Sequence, residues 1–238
     1  HTLQGQVSDF GDTGWDTAEV KLSFNDLGID GLNLVSGVRQ ESYVLNLDVY
    51  NSSNYLAGEK SAFSARSGGE TDLLAAFAQL NYQLNEQWDA SLGLRYEQFE
   101  SNNGYFDEDN PTTPEFDLTR VPERGTNEMS PKFSLGYQPS SEWSFRYSAA
   151  KAYRFPIVEE LFSQFEAYNA VSISNVELKP EDGMHHNLMA ERAISGGYVR
   201  VNYFTETIEN AIEAQSTILD GGISLRTFIP VDELQTSG

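Results

Sequence analysis

Apolar and polar residues alternate along much of this chain, and the clearest case is the stretch LLAAFAQLNYQL at 73–84. Side chains two positions apart point to the same face of a β-strand. One face would carry Leu74, Ala76, Ala78, Leu80, Tyr82 and Leu84, and the other Ala75, Phe77, Gln79, Asn81 and Gln83. After a polar turn at 85–87, Trp88, Ala90, Leu92, Leu94 and Tyr96 continue the apolar face. These two stretches are predicted to form an antiparallel hairpin.

The same period of two continues further along the chain. Further strands are predicted at 132–138, 143–150, 188–191 and 199–206, and, with less regular alternation, at about 14–25, 31–50 and 223–234. The fold class is therefore all-β, with about nine strands. Several of these strands exceed the usual length of about 5–6 residues in soluble sheets.

The predicted connections fall into two classes that alternate along the chain. Short turns separate the strands of each hairpin, whereas long connections lie near 51–71, 100–127 and 154–179. Loops of that length are uncommon in a compact domain unless they serve a function. Short turns at one end and long loops at the other are typical of an antiparallel, up-and-down transmembrane β-barrel.

Large aromatic residues lie beside the short turns. Tyr82 and Trp88 flank the first turn, Tyr137 and Trp143 flank the second, and Tyr198 follows the third. On a barrel these side chains would form a ring at one membrane–water boundary, with their apolar parts in lipid and their polar atoms in water. The opposite strand faces carry Arg95, Glu97, Lys132, Arg146, Glu191, Arg200 and Glu206, which a wet lumen accommodates better than lipid does.

A soluble β-sandwich is the alternative interpretation of the same alternation. In a sandwich, Leu80, Leu92, Leu135 and Phe145 would be buried together between two stacked sheets. In a barrel they would point outward from one curved wall. The positions of these four side chains therefore separate the two hypotheses.

Composition narrows the function classes. The chain has 238 residues with 36 acidic and 15 basic side chains, a formal net charge of -21, so nucleic acid is not an expected partner. It has no cysteine, which excludes disulfides and thiolate metal sites. Apolar runs are too short for a transmembrane helix, and the first ten residues lack a signal-peptide pattern. A mean hydropathy of -0.45 remains compatible with a membrane barrel, whose strands alternate lipid-facing and lumen-facing residues.

Four blocks in order resemble a known family. They are AAFAQLNYQLNEQWDASLGLRYE (75–97), SPKFSLGYQPSSEWSFRYSAAKAYRFPIVEELF (130–162), SNVELKPED (174–182) and VNYFTETIENAI (201–212). Similar passages occur in TonB-dependent outer-membrane receptors, and the resemblance covers about 75–235. Two motifs depart from the family pattern, since YRFP stands where the family has Phe-Arg-Ala-Pro and NVELKP lacks the first Pro.

The resemblance implies a fold and a function. Family members resemble 22-stranded barrels around a plug, so residues 1–238 are expected to be an internal part of the barrel domain without a plug. The implied function is TonB-energised uptake of a scarce ligand, most often a ferric siderophore, across the bacterial outer membrane. The implied partners are that ligand or another metal chelate, outer-membrane lipid, and the TonB complex acting through a plug. A passive porin-like barrel and a soluble carbohydrate-binding module are the alternative functions.

Candidate binding residues lie mainly in the long connections. Tyr105, Phe106, Phe162, Phe165 and Tyr168 could hold a flat ligand at the outer face, or they could pack against each other. No cofactor, metal site or catalytic motif is predicted, and an enzyme is not expected.

Two basic positions complete the set of candidates. Arg154 could attract an anionic chelate, and its alternative role is an ion pair within the wall. His185 is predicted to face the lumen, because it alternates with Leu188 and Ala190, whereas His186 points the other way. The two histidines therefore cannot chelate one metal ion without a bend in the strand.

Overall fold

A computed structural model describes residues 3–109, 116–167 and 169–238. The strands are β1 (Gly5–Asp9), β2 (Gly14–Phe24), β3 (Leu32–Ser52), β4 (Phe63–Gln83), β5 (Trp88–Asp109), β6 (Phe116–Arg120), β7 (Arg124–Tyr137), β8 (Trp143–Arg154), β9 (Phe165–Ala167), β10 (Ala170–Ile173), β11 (Glu181–Ile194), β12 (Gly197–Ile218) and β13 (Ser224–Ser237). The helical segments are a 3-10 turn (Tyr55–Ala57) and α1 (Val158–Phe162). All thirteen strands belong to one curved sheet.

The long strands of the sheet occupy nine places side by side when strands that share a neighbour are counted together, which agrees with the prediction of about nine strands. β1 and β2 both pair with β3, at different heights, and so form one interrupted wall strand. β6 and β7 share β5 in the same way. With these two pairs merged, the wall runs β1/β2, β3, β4, β5, β6/β7, β8, β11, β12 and β13, and every adjacent pair in it is antiparallel.

The apolar face of the strands is exposed, as a lipid-facing wall requires. Leu80 is 41% exposed and Leu92 is 59% exposed, and both belong to the same single sheet as the half-buried Leu135 and Phe145. Residues of a sandwich core would be buried between sheets. The all-β barrel prediction is therefore confirmed, and the soluble sandwich is wrong. No helix among the described residues is long and apolar enough to cross a membrane.

The predicted aromatic ring at the short-turn end is present on three adjacent strands. Trp88 and Tyr137 stack with centroids 4.2 Å apart, Tyr137 and Phe145 are 6.4 Å apart, and Phe145 and Trp143 are 5.7 Å apart. Tyr198, two strands further on, is 64% exposed. These contacts form because short turns bring the ends of neighbouring strands to one height, so that aromatic cross-strand pairs stabilise the rim.

Several charges on the concave face are paired across or along the wall. Arg95 binds Glu97 at 2.7 Å, and Arg146 binds Asp89 at 2.9 Å. Arg200 lies opposite Glu191 on the next strand and donates from Nε at 2.7 Å. Lateral pairing of this kind keeps charged side chains within a polar, lumen-facing layer.

Two of the three predicted long loops are mostly strand. β3 continues to Ser52 and β4 begins at Phe63, so the loop expected near 51–71 is a shorter connection. β5 continues to Asp109, where β6 pairs with it, although a loop was expected from about 100. The prediction of loops was wrong here because polar residues at this end lack the alternation of a lipid-facing strand, while backbone pairing continues without it.

Pairing between β7 and β8 stops where a proline enters the ladder. The two strands pair from Tyr137 to Lys132 on β7, although β8 itself continues to Arg154. The next residue on β7 is Pro131, which has no N–H to donate to β8. Beyond this point β7 stays paired with β5 and β8 stays paired with β11, and the segment after β8 crosses to the concave side.

Candidate functional site

The 155–180 segment folds onto the concave face of the wall at the long-loop end. Its buried apolar residues meet residues from β3 and β5 in one core. The core consists of Leu45, Phe99, Val158, Leu161, Phe162 and Leu178. Farther along, β10 pairs in parallel with β13, which is the one parallel pair described. Residues 155–163 and 175–178 therefore form an inner layer on the wall, whereas β9 and β10 continue the sheet beside β13.

Phe162 anchors this layer in a recess made by two glycines. A Cβ at Gly69 or at Gly104 would lie 2.5 Å from the Phe162 ring, so only glycine leaves room for it. Beside Gly104, Asn103 has a φ of 54°, and the β4–β5 register shifts between Gly68 and Glu70, as at a β-bulge. Phe162 is 2% exposed. Its ring therefore packs as a core side chain, and a packing role was one of the two alternatives left open by the sequence.

Arg154, just before the same segment, binds carboxylates within it and after it. Its Nη1 donates to both Glu160 oxygens at 3.1 Å, and its Nη2 donates to Glu181 Oε1 at 2.8 Å. The backbone N–H of Ile157 also donates to Glu160, and that of Ile212 donates to Glu181. The structure thus shows Arg154 in an ion pair within the protein, which was the alternative to binding an anionic chelate. Through Glu160 and Glu181, Arg154 links the helix of the segment to the strand that follows it.

The other predicted aromatics whose positions are described lie on β5 and β9. Tyr105 and Phe106 are neighbours on β5 and occupy opposite faces; the Tyr105 hydroxyl donates to Asn46 Oδ1 at 3.1 Å. This part of β5 lies beyond the roughly ten residues that span a membrane, and burial raises the pKa of the Tyr105 phenol. Phe165 is 40% exposed on β9. Tyr168 lies outside the described residues.

His185 faces the concave side, as alternation indicated. Its Nδ1 lies 2.9 Å from Glu206 Oε1 on β12. His186 lies on the other face, where its Nδ1 is 2.9 Å from the Tyr147 hydroxyl. In the described parts of the chain, no group of three or more His, Cys, Asp or Glu side chains is placed to hold a metal ion.

A second aromatic surface, which the sequence analysis missed, faces the lumen at the long-loop end. Trp15 on β2 lies opposite Tyr43 on β3, and Tyr43 shares its face with Leu45 of the inner core. Trp15 is 67% exposed and Tyr43 is 38% exposed. The alternation of Arg39, Glu41 and Tyr43 could have revealed this face.

Tyr43 also lines a cavity beside the start of the 155–180 segment. The cavity has a volume of about 320 Å³, and Glu41, Arg154, Phe155 and Ile157 share its lining. Ile157 is 51% exposed. We call Trp15, Tyr43 and Ile157 the lumen aromatic surface. It combines open apolar area with charged groups at its edge, which is the usual composition of a small-molecule site.

The whole chain is similar to one known family of membrane proteins. Residues 2–238 match the family model described as TonB dependent receptor-like, beta-barrel. The chain belongs to the TonB-dependent receptor family. TonB-dependent receptors are transporters of the bacterial outer membrane, and the porin alternative is therefore set aside. No curated protein matches the chain.

Several solved structures share the fold. The hemophore receptor HasR of Serratia marcescens, in complex with HasA and heme, is 15% identical with a TM-score of 0.63, covering 95% of this chain and 38% of HasR. The copper transporter OprC is 14% identical with a TM-score of 0.67, covering 94% and 34%. The ferric yersiniabactin receptor FyuA of Yersinia pestis is 16% identical with a TM-score of 0.55, covering 83% and 29%. The chain thus spans about a third of the length of these proteins.

Proposed function

We propose that this chain forms part of the wall and outer segments of a receptor that takes up a metal chelate, with a ferric siderophore as the first candidate. The lumen aromatic surface is the observation that carries this proposal. Flat or apolar chelates bind well against exposed aromatic and aliphatic side chains with a few charged groups nearby. Glu41 and Arg154, each also held in an ion pair within the protein, line the cavity beside this surface.

The related structures support a chelated or free metal as the ligand class. Their names describe a complex with heme, uptake of ferric yersiniabactin, and copper transport. Energy for uptake would come from the TonB complex, acting through a plug inside the barrel. The aromatic ring at the short-turn end would contact outer-membrane lipid.

The experiment measures chelate binding and uptake by the full-length protein. A panel of ferric siderophores, heme and copper identifies the ligand, and Trp15→Ala and Tyr43→Ala are then compared with wild type. Loss of a buried aromatic contact is expected to weaken binding about tenfold. Trp143→Ala, on the lipid-facing rim, serves as the matched control and should bind normally.

Collapsing the proton gradient adds a second readout. Uptake should stop while surface binding persists, because a TonB-dependent step consumes energy only after binding. Uptake that continues without the gradient would contradict the energised mechanism. Equal binding by Trp15→Ala, Tyr43→Ala and the control would contradict the assignment of the lumen aromatic surface.

A further inference from the structure

Strand pairing is interrupted between β7 and β12 at the long-loop end of the wall. β7 pairs with β8 only up to Lys132, and the β8–β11 ladder ends at Arg154 and Glu181. β7 continues beyond this height over 124–131, and β12 continues over 210–218. Among the strands that the structure describes, none pairs with these two extensions on the sides that face each other. We call this interruption the wall gap.

A cavity of about 360 Å³ lies at the wall gap. On β7 its lining includes Thr126, which lies on the concave face opposite Phe99. On β8 its lining includes Tyr153, which alternates with Tyr147 of the lipid-facing side. The cavity therefore borders both sides of the wall.

The wall gap lies at the outer boundary of the membrane. β8 begins at Trp143, within the aromatic ring at the short-turn end, and Tyr153 is close to its other end. A strand crosses a membrane in about 9–11 residues, so Tyr153 reaches the level where acyl chains meet head groups. The Lys151 ammonium lies 4.9 Å from the Tyr153 ring centroid and 2.8 Å from Asp182. Long basic side chains take such positions where their charge can leave the lipid.

The floor of the cavity is apolar, and ion pairs neutralise part of its rim. Phe99, Leu161 and Leu178 line the cavity and are each at most 7% exposed. Arg124 at the rim lies 3.2 Å from Glu177, and the lysine–aspartate pair at the membrane boundary neutralises a second rim charge. Apolar surface favours contact with alkyl groups, whereas an ion would lose hydration there. The floor is therefore suited to an alkyl group.

The cavity at the wall gap adjoins the cavity that Tyr43 lines. Phe99 and Tyr153 belong to the lining of both, and the Phe99 ring stacks on Phe155 with centroids 4.9 Å apart. These rings separate the wall gap from the lumen aromatic surface. Displacement of the half-buried Tyr153 side chain would join the two spaces.

We propose that the cavity at the wall gap binds the alkyl tail of an amphiphilic metal chelate whose head lies on the lumen aromatic surface. The wall gap is level with the outer leaflet, where the tail of such a molecule is held. Burial of the tail among Phe99, Leu161 and Leu178 supplies hydrophobic affinity that a chelate without a tail lacks. This inference rests on the proposed function, because it assumes that a chelate binds at the lumen aromatic surface.

Two iron(III) chelates with the same head group test the role of the tail. Binding of the decanohydroxamate and acetohydroxamate complexes to the full-length protein is measured in lipid nanodiscs, and empty nanodiscs correct for partition into lipid. The wild type should bind the decanoyl chelate about tenfold more tightly. Thr126→Trp, which fills the cavity, should remove most of this preference. Asn127→Trp, on the exposed opposite face of β7, is the matched control and should keep it.

Photolabelling of the wild type provides a second readout that requires no variant. Decanohydroxamate with a diazirine at the end of its tail should label Leu161 or residues 176–178, and excess unlabelled decanoyl chelate should suppress the product. A phospholipid that carries the same diazirine tests the other source of an alkyl chain. It should label Leu92 on the lipid-facing wall and leave the cavity unlabelled.

The inference is overturned if the wild type has no preference for the decanoyl chelate, if Thr126→Trp retains that preference, or if the phospholipid labels the cavity in place of the chelate. The proposed function survives such a result when the acetohydroxamate chelate binds and Trp15→Ala and Tyr43→Ala weaken its binding. If the tail labels the cavity while both of these variants bind both chelates as the wild type does, the proposed function fails and the alkyl site stands.

Discussion

The wall near the short turns, which we call the lower wall, and the inner layer are specified by different kinds of contact. In the β4–β5 hairpin, side chains alternate between lipid and lumen, and each strand needs only its neighbours for pairing. The 155–180 segment has no such alternation, and its shape depends on Phe162, Arg154 and contacts from β3, β5 and β12. The comparison shows that a wall strand is specified locally, whereas the inner layer is specified by residues far away in the chain.

The largest effect that separates these regions is expected from Phe162→Ala. Removing a ring that is 2% exposed leaves a cavity between Gly69 and Gly104, which should lower the free energy of unfolding by about 3 kcal/mol. Denaturant titration of the full-length protein in lipid vesicles measures this change. Phe165→Ala, at a position that is 40% exposed, should change stability by less than about 0.5 kcal/mol. Equal effects would mean that Phe162 is not the anchor.

Arg154→Ala should have the next largest effect. It leaves Glu160, whose side chain is 11% exposed, without its cation. The expected loss is about 2 kcal/mol, less than for a fully buried pair because Arg154 is itself 41% exposed. Limited proteolysis should also cut the 155–180 segment faster. Arg226→Ala is the control, since among the described residues its guanidinium lies over the Phe228 ring without an ion pair. Identical proteolysis of both variants would argue against the role of Arg154 in holding the segment.

An arginine introduced on the lower wall tests which face of a wall strand contacts lipid. Leu92→Arg puts a cation against lipid only four positions beyond Trp88 and should cost about 1.5 kcal/mol, below the value of about 2–4 kcal/mol at the membrane midplane. Ser91→Arg, on the lumen face, should cost little. The unfolding titration in vesicles distinguishes them, and a costlier Ser91→Arg would reverse the assignment of the two faces.

The smallest effect is expected at the exposed outer edge, where Lys60 hydrogen-bonds Asp9 and holds the pKa of that carboxyl below its ordinary value of 3.8. A lowered carboxyl pKa means that the interaction is present above the ordinary value and is lost as the pH falls through the lowered one. Stability should therefore not change between pH 7 and pH 5 on account of this pair. NMR titration should show the Asp9 pKa rising toward 3.8 in Lys60→Gln, and an unchanged pKa would exclude the contact.

The candidate sites were less accessible to sequence reasoning than the wall was. His185 could be placed on the lumen face, because strand alternation alone decides that. Phe162 could not be placed, because no local pattern shows that Gly69 and Gly104 form a recess for it. Trp15 was missed, although its partner Tyr43 alternates with Arg39 and Glu41 on the same strand face.

The sequence by itself determined the all-β class, the number of wall strands and the face of each regular side chain, since a period of two is a property of the backbone. The family resemblance added the kind of barrel. Only the tertiary structure decided that the strands continue into the expected loops and that Arg154 forms an internal ion pair. Those outcomes depend on distances between residues that are remote in sequence, and no local pattern encodes such distances.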